Sequence, residues 1–107
     1  MKKFQIIILA AGQGKRLLPS TKNLPKTMLK VKDKPIIDYI FDSFDQNKID
    51  EIIIVTGYFA ELVENHLGNN FGNIPIRYVR NEVHQKTNSI YSLWLVKKFL
   101  KKDIIII

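Results

Sequence analysis

Gly12, Gly14, Lys15 and Arg16, followed at a distance by Lys26, are the residue types that hold a polyphosphate. Glycine has no Cβ, so the backbone at Gly12 and Gly14 can take left-handed torsions and approach an anion with its amide hydrogens pointing inward. The planar guanidinium of Arg16 suits clamping a phosphate in a fixed orientation. Pro19 and Pro25 fix their own torsions and push Leu18 and Leu24 toward extended backbone, so Lys26 is a charge placed by a stiffened segment. Residues 9–26 therefore read as a phosphate-holding loop. The commoner glycine motifs do not fit. A Walker A loop needs a Ser or Thr after its Lys where this chain has Arg16, and a dinucleotide fingerprint needs a third glycine where this chain has Leu17. For the two glycines alone, a tight strand-to-loop turn with solvated lysines remains the competing reading.

The charge map points to a small polyanion. The net charge is +7, and residues 15–34 hold seven cations against one acid, Asp33. The same stretch has no Phe, Tyr or Trp, whereas a nucleic-acid surface interleaves aromatic rings with its cations. Nucleic acid is therefore not an expected partner. With 107 residues, 46% of them hydrophobic and 25% charged, the chain is at most one globular domain. Zero cysteines exclude a disulfide framework and thiolate zinc sites, and suit the reducing cytoplasm that is the expected location. The apolar run after Lys3 is broken by Gln5 and leads into cations, so no signal peptide is expected. No apolar run approaches the roughly 20 residues that span a bilayer.

The elements that must position the loop follow from periodicity. Residues 4–9 and 52–55 are continuous apolar runs suited to strands covered on both faces. Pro35 opens a helix whose stripe is Ile37, Ile40, Phe41 and Phe44. Phe59, Leu62, Val63, His66 and Leu67 form a second stripe, with Gly68 beyond its end and His66 a packed residue. Residues 69–73 read as a loop and 76–80 as a strand. A third helix carries Ile90, Leu93, Trp94 and Val96, with Tyr91 and Trp94 expected in the core, and 104–107 is a further strand. Strands alternating with helices predict an α/β fold with a parallel, doubly wound sheet. Ligands in such sheets sit at the carboxyl ends of the strands, where the loop emerges. Asn81 at a strand end and Asn88 at a helix start can each offer an amide donor and acceptor to a base edge. Thr87, Asn88 and Ser89 are all good helix caps, so Asn88 stands between cap and ligand contact. His84, in a polar loop, has no assigned role.

The string LAAGQGKRL at 9–17, with Pro19, Thr21, Pro25 and Lys26, Met28 and Leu29, and Lys34 and Pro35, resembles the signature of the nucleotidyltransferases that activate sugar phosphates and related phosphorylated alcohols. Gly57 and Tyr58 after the second strand also resemble that family, with Tyr58 in a structural role. The resemblance implies a Rossmann-like, mostly parallel sheet of the nucleotide-diphospho-sugar transferase type, here reaching only its fourth strand. It implies that Gly12 and Gly14 wrap a nucleoside triphosphate, that Arg16 contacts phosphate, and that Lys26 lies between nucleotide and acceptor phosphate. Leu9, Ala10, Ala11, Lys15, Asn81 and Asn88 complete the implied nucleotide contacts, with Arg16 and Lys26 the catalytic pair.

The stretch 81–94, NEVHQKTNSIYSLW, lacks the glutamine, proline and glycine-rich turn usual in the sugar branch. Instead TNSIYSL is similar to the bacterial phosphocholine and phosphonate cytidylyltransferases. That resemblance implies CTP as nucleotide and a phosphocholine-like or phosphonate acceptor; a sugar-1-phosphate enzyme using UTP or dTTP is the alternative. The family's magnesium ligand is an aspartate just after the strand in which this chain stops, and Asp103 does not match that position. Residues 1–107 are thus expected to be the nucleotide-binding amino-terminal part of a nucleotidyltransferase domain, without its Mg2+ ligand and with little activity alone. A non-catalytic nucleotide-binding or assembly module is the other reading. Four terminal isoleucines invite edge pairing, so self-association through that strand is also expected.

Overall fold

The computed structural model describes residues 3–12, 18–19, 22–101 and 103–107. The central strand β1 (Phe4–Ala10) is buried on both faces, which is why its sequence does not alternate in polarity. Ile6, Ile8 and Ala10 pack with Ile37, Phe41, Ile52, Ile54 and Val63 on one face, and Ile7 and Ala11 pack with Ile53, Val55 and Val96 on the other. Gln5 interrupts the run without a penalty: its Nε2 donates to Glu51 Oε1 and to the Phe99 carbonyl, both at 2.8 Å, and its Oε1 accepts from the Lys101 amide at 3.0 Å.

A small hairpin follows the loop. Its strands β2 (Lys30–Val31) and β3 (Lys34–Pro35) turn at Lys32 and Asp33, whose φ angles of 53° and 65° are those of a primed hairpin turn. Helix α1 (Ile36–Asp42) starts directly after Pro35 and buries Ile37 and Phe41. Phe44 joins the same core from beyond the helix end rather than from its last turn. Next come β4 (Ile49–Thr56) and α2 (Ala60–Leu67), which stops at Gly68 with φ 70°. The stretch expected as a loop contains the short strand β5 (Asn70–Phe71), antiparallel to β6 (Ile74–Arg80) around Gly72. Helix α3 (Ser89–Leu95) leads to β7 (Ile104–Ile106).

The sheet order is β5-β6-β4-β1-β7, with β6, β4, β1 and β7 all parallel. Helices α1 and α2 cover one face and α3 the other, which is the expected doubly wound α/β arrangement. Strand β7 is an edge, and Ile105, Ile106 and Ile107 are exposed. Among the described residues no helix is long and apolar enough to cross a membrane.

One core expectation is corrected. Trp94 is 55% exposed and Ile90 75%: the side of α3 that carries Ser92, Leu93 and Val96 faces the sheet, which turns Trp94 away from it and leaves Ile90 at the exposed first turn. Tyr91 and Trp94 stack on each other instead, with centroids 5.7 Å apart and planes 24° apart.

These burials set a stability contrast. Ile53 is fully buried, so Ile53→Ala should cost about 2–5 kcal/mol in urea unfolding of the intact protein. Ile90→Ala, on the exposed side of α3, should stay within about 0.5 kcal/mol of the parent.

Candidate functional site

The carboxyl ends of β1 and β6 open onto a cavity of about 250 Å3. Leu9, Ala11 and Gly12 form its floor, Asn81, His84, Thr87 and Asn88 one wall, and Ser89 and Ser92 of α3 the rest. Among the described residues no lysine, arginine or carboxylate lines it. A wall of amides, hydroxyls and one imidazole suits the polar edge of a flat heterocycle, and the small volume suits one ring system rather than a whole nucleotide.

Asn81 organises that wall. It is 2% exposed; its Nδ2 donates to Thr87 Oγ1 at 2.9 Å and Ser92 Oγ at 3.3 Å, and its Oδ1 accepts from the Val83 amide at 3.0 Å. Its own amide donates to the Thr56 carbonyl at 2.7 Å, tying the end of β6 to the end of β4. Both side-chain donors are therefore spent on the protein, and Asn81 shapes the cavity rather than offering it N–H groups. Asn88 is different. Its Oδ1 caps α3 by accepting from the Tyr91 amide at 3.2 Å, while its Nδ2 has no partner among the described residues and borders the cavity. Of the two roles left open by sequence, the structure shows the cap, and that cap uses Oδ1 alone.

Loop residues divide sharply. Gly14, Lys15 and Arg16 lie outside the described residues. Ala10 turns its methyl into the core between Ile6 and Ile8 and Ile52, so only its backbone is left for a ligand. Gly12 is not in the left-handed region expected for it, and a Cβ there would meet nothing within 4 Å among the described residues. Lys26 begins a 3-10 turn (Lys26–Met28) held by Met28 N–H to Pro25 O at 2.9 Å, with Met28 packed on the core. Its side chain is exposed and is not brought into the cavity. Two participants were not legible in sequence. His84 lines the cavity, and Gly57 permits it: a Cβ on Gly57 would stand 2.9 Å from both the Ala11 carbonyl oxygen and His84 Cβ. Only the placement of Gly57 beside a strand end hinted at a close approach.

Behind the site, Arg80 at the end of β6 grips Glu64 of α2 through Nε at 3.0 Å and Nη2 at 2.8 Å, and Thr56 Oγ1 adds a third hydrogen bond at 3.1 Å. The Arg80 hydrogen bonds hold the Glu64 carboxyl below its ordinary value, against the opposing effect of its partial burial. Burial, helped by the Glu64 charge, pushes the Tyr78 phenol up to about 12. Among the described residues no group of three or more His, Asp or Glu side chains is placed to hold a metal ion. The described residues therefore do not by themselves form a protein-only magnesium cage.

The nucleotidyl transferase family matches residues 5–107. Choline-phosphate cytidylyltransferase of Streptococcus pneumoniae is 40% identical over 100 residues, covering 94% of this chain and 42% of its own. A UTP–glucose-1-phosphate uridylyltransferase of Staphylococcus epidermidis is 49% identical, but over 70 residues, covering 64% of this chain and 24% of its own. The solved structure of CTP:phosphocholine cytidylyltransferase from Streptococcus pneumoniae superposes with a TM-score of 0.79 at 38% identity, covering 96% of this chain and 44% of that one. The chain thus spans less than half the length of the relatives it matches.

Two measurements check this geometry. Asn81→Ala strands buried partners on Thr87, Ser92 and Val83 and should cost about 1–3 kcal/mol of stability, read by thermal or urea unfolding. The Glu64 pair stabilises the fold fully above 4.5, the carboxyl's ordinary value, and that contribution is lost as pH falls through the lower folded-state value. A pH series of melting temperatures should therefore drop more steeply below that point for the parent than for Glu64→Gln, which is already less stable at neutral pH.

Proposed function

Because the chain belongs to the nucleotidyl transferase family, we propose that it is the nucleotide-binding part of a cytidylyltransferase that passes CMP from CTP to a phosphorylated small alcohol of the phosphocholine type, or to a phosphonate, with release of pyrophosphate. The observation that carries the reading is the cavity lined, among the described residues, by amides, hydroxyls and one imidazole, which opens where the chain leaves β1 for the glycine and cation loop. A base in the cavity would leave its triphosphate directed toward that loop. The cytidylyl choice is supported by identity over nearly the whole chain: the cytidylyltransferase is 40% identical over 94% of this chain, whereas a uridylyltransferase of Haloferax volcanii that covers 92% of it is 30% identical.

The reaction needs no protein nucleophile. An oxygen of the acceptor's phosphate attacks the α-phosphorus in line; a new P–O bond forms, and the bond to the bridging oxygen breaks as pyrophosphate leaves with the electron pair. The protein's work is to position and neutralise. In this proposal Arg16 holds the departing phosphates, backbone amides from Gly12 and Gly14 bind triphosphate oxygens, and Lys26 brings two anions together against their repulsion. Asn88 Nδ2 donates to the acceptor atoms of the base. The cytoplasmic location expected from the cysteine-free composition belongs to the same proposal.

Thermal shift of the intact protein with CTP, UTP, dTTP and ATP, each with and without magnesium, tests the assignment. CTP should raise the melting temperature most, and Arg16→Ala should abolish the shift. A larger effect of UTP or dTTP would move the protein to the sugar-phosphate branch; no effect from any nucleotide would sink the phosphate-loop reading. Asn88→Ser separates cap from ligand contact. Serine caps as well as asparagine, so the unliganded melting temperature should hold while CTP affinity falls by about tenfold, the scale of one lost hydrogen bond. Unchanged CTP affinity would leave Asn88 a cap alone.

A further inference from the structure

We propose that Tyr58 is a positioning residue that clasps the root of the phosphate loop and sets it against the base cavity. The inference rests on residues 9–26 being a phosphate loop. Tyr58 touches both limbs of that loop. Its backbone amide donates to the Ala11 carbonyl at 3.0 Å, just before the glycines, and its phenol hydroxyl donates to the Lys22 carbonyl on the way out toward Lys26. No other described residue bonds to both limbs.

The clasp is coupled to the cavity wall. The Tyr58 ring meets the His84 ring edge-on, with centroids 6.0 Å apart and planes at 69°, and meets Phe59 at 4.8 Å and 83°. Gly57 sits where Ala11 and His84 converge, and any Cβ there would force the two apart. Phe59, next in sequence, takes left-handed torsions (φ 50°, ψ 48°), an uncommon conformation for a bulky residue and one that clusters at functional sites. The turn from β4 into α2 is thus held in a costly conformation that aims Tyr58 back across the loop's root. Closing the two ends of a loop restricts the conformations it must give up when an anion binds, so the clasp should favour the triphosphate rather than the base.

That division supplies the test. Tyr58→Phe in the intact protein removes only the phenol hydroxyl. CTP affinity should fall roughly three- to tenfold, the effect of one net hydrogen bond, while affinity for cytidine, which has no phosphates, and the unliganded melting temperature stay near the parent values. Equal weakening of CTP and cytidine, or unchanged CTP binding, overturns the clasp. Gly57→Ala should weaken cytidine as well as CTP, since it displaces His84 from the cavity wall; unaffected cytidine binding would overturn the coupling. Arg16→Ala is measured in parallel. If it leaves CTP binding unchanged, the phosphate-loop reading itself fails; if it weakens CTP while Tyr58→Phe does not, only the role of Tyr58 falls.

Discussion

The register of β1 against β4 is the constraint on which the rest depends. Leu9 lies opposite Val55 and Ala10 opposite Thr56, so the two strands finish together and their connections emerge side by side. The Tyr58 amide can therefore reach the Ala11 carbonyl, and the Asn81 amide, one strand further on, can reach the Thr56 carbonyl. Three chain segments distant in sequence are locked at one edge of the sheet. A one-residue slip would exchange every inward side chain for its neighbour on the other face, and with both faces buried by different helices such a slip has no stable alternative. Rigid placement of the site follows from core packing that never touches a ligand.

Charge is unevenly distributed along the chain. Among the described residues no lysine, arginine or carboxylate lines the cavity beneath α3, where Asn81 bonds to Thr87, Ser92 and the Val83 amide and Asn88 Oδ1 caps α3. In the sequence, cations concentrate in the stretch from Lys15 to Lys34. The proposed nucleotide pairs a neutral base with a polyanionic tail, and a complementary arrangement of cavity and loop would orient it without a base-specific charge. The ion pair of Glu64 and Arg80 lies behind this division rather than within it, holding β6 to α2.

Much of the architecture was legible because burial leaves a mark on composition. The unbroken isoleucine and valine runs at 6–8 and 52–55 mark strands covered on both faces, and the parallel sheet confirms them. Gly68 at a helix end and Pro35 at a helix start have local stereochemical reasons and needed no tertiary context. Trp94 misled, because an aromatic at helical spacing says that a face exists, not which face the sheet will take. Likewise β5 is too short for a periodic signal, and its pairing is decided by the turn at Gly72 and its partner strand.

By itself, then, the sequence determined the α/β class, the location of a site at the root of residues 9–26 and the family of the chain, since strand burial, glycine and proline chemistry and a contiguous motif are all local properties. Only the tertiary structure decided which polar groups remain available there. Asn81 and Asn88 look alike as residues, yet one side chain is consumed by three partners and the other, among the described residues, is bonded only through its Oδ1 cap. His84, Gly57 and Tyr58 carry no local signal of their connection to the loop, because that connection exists only where parallel strands bring their ends together.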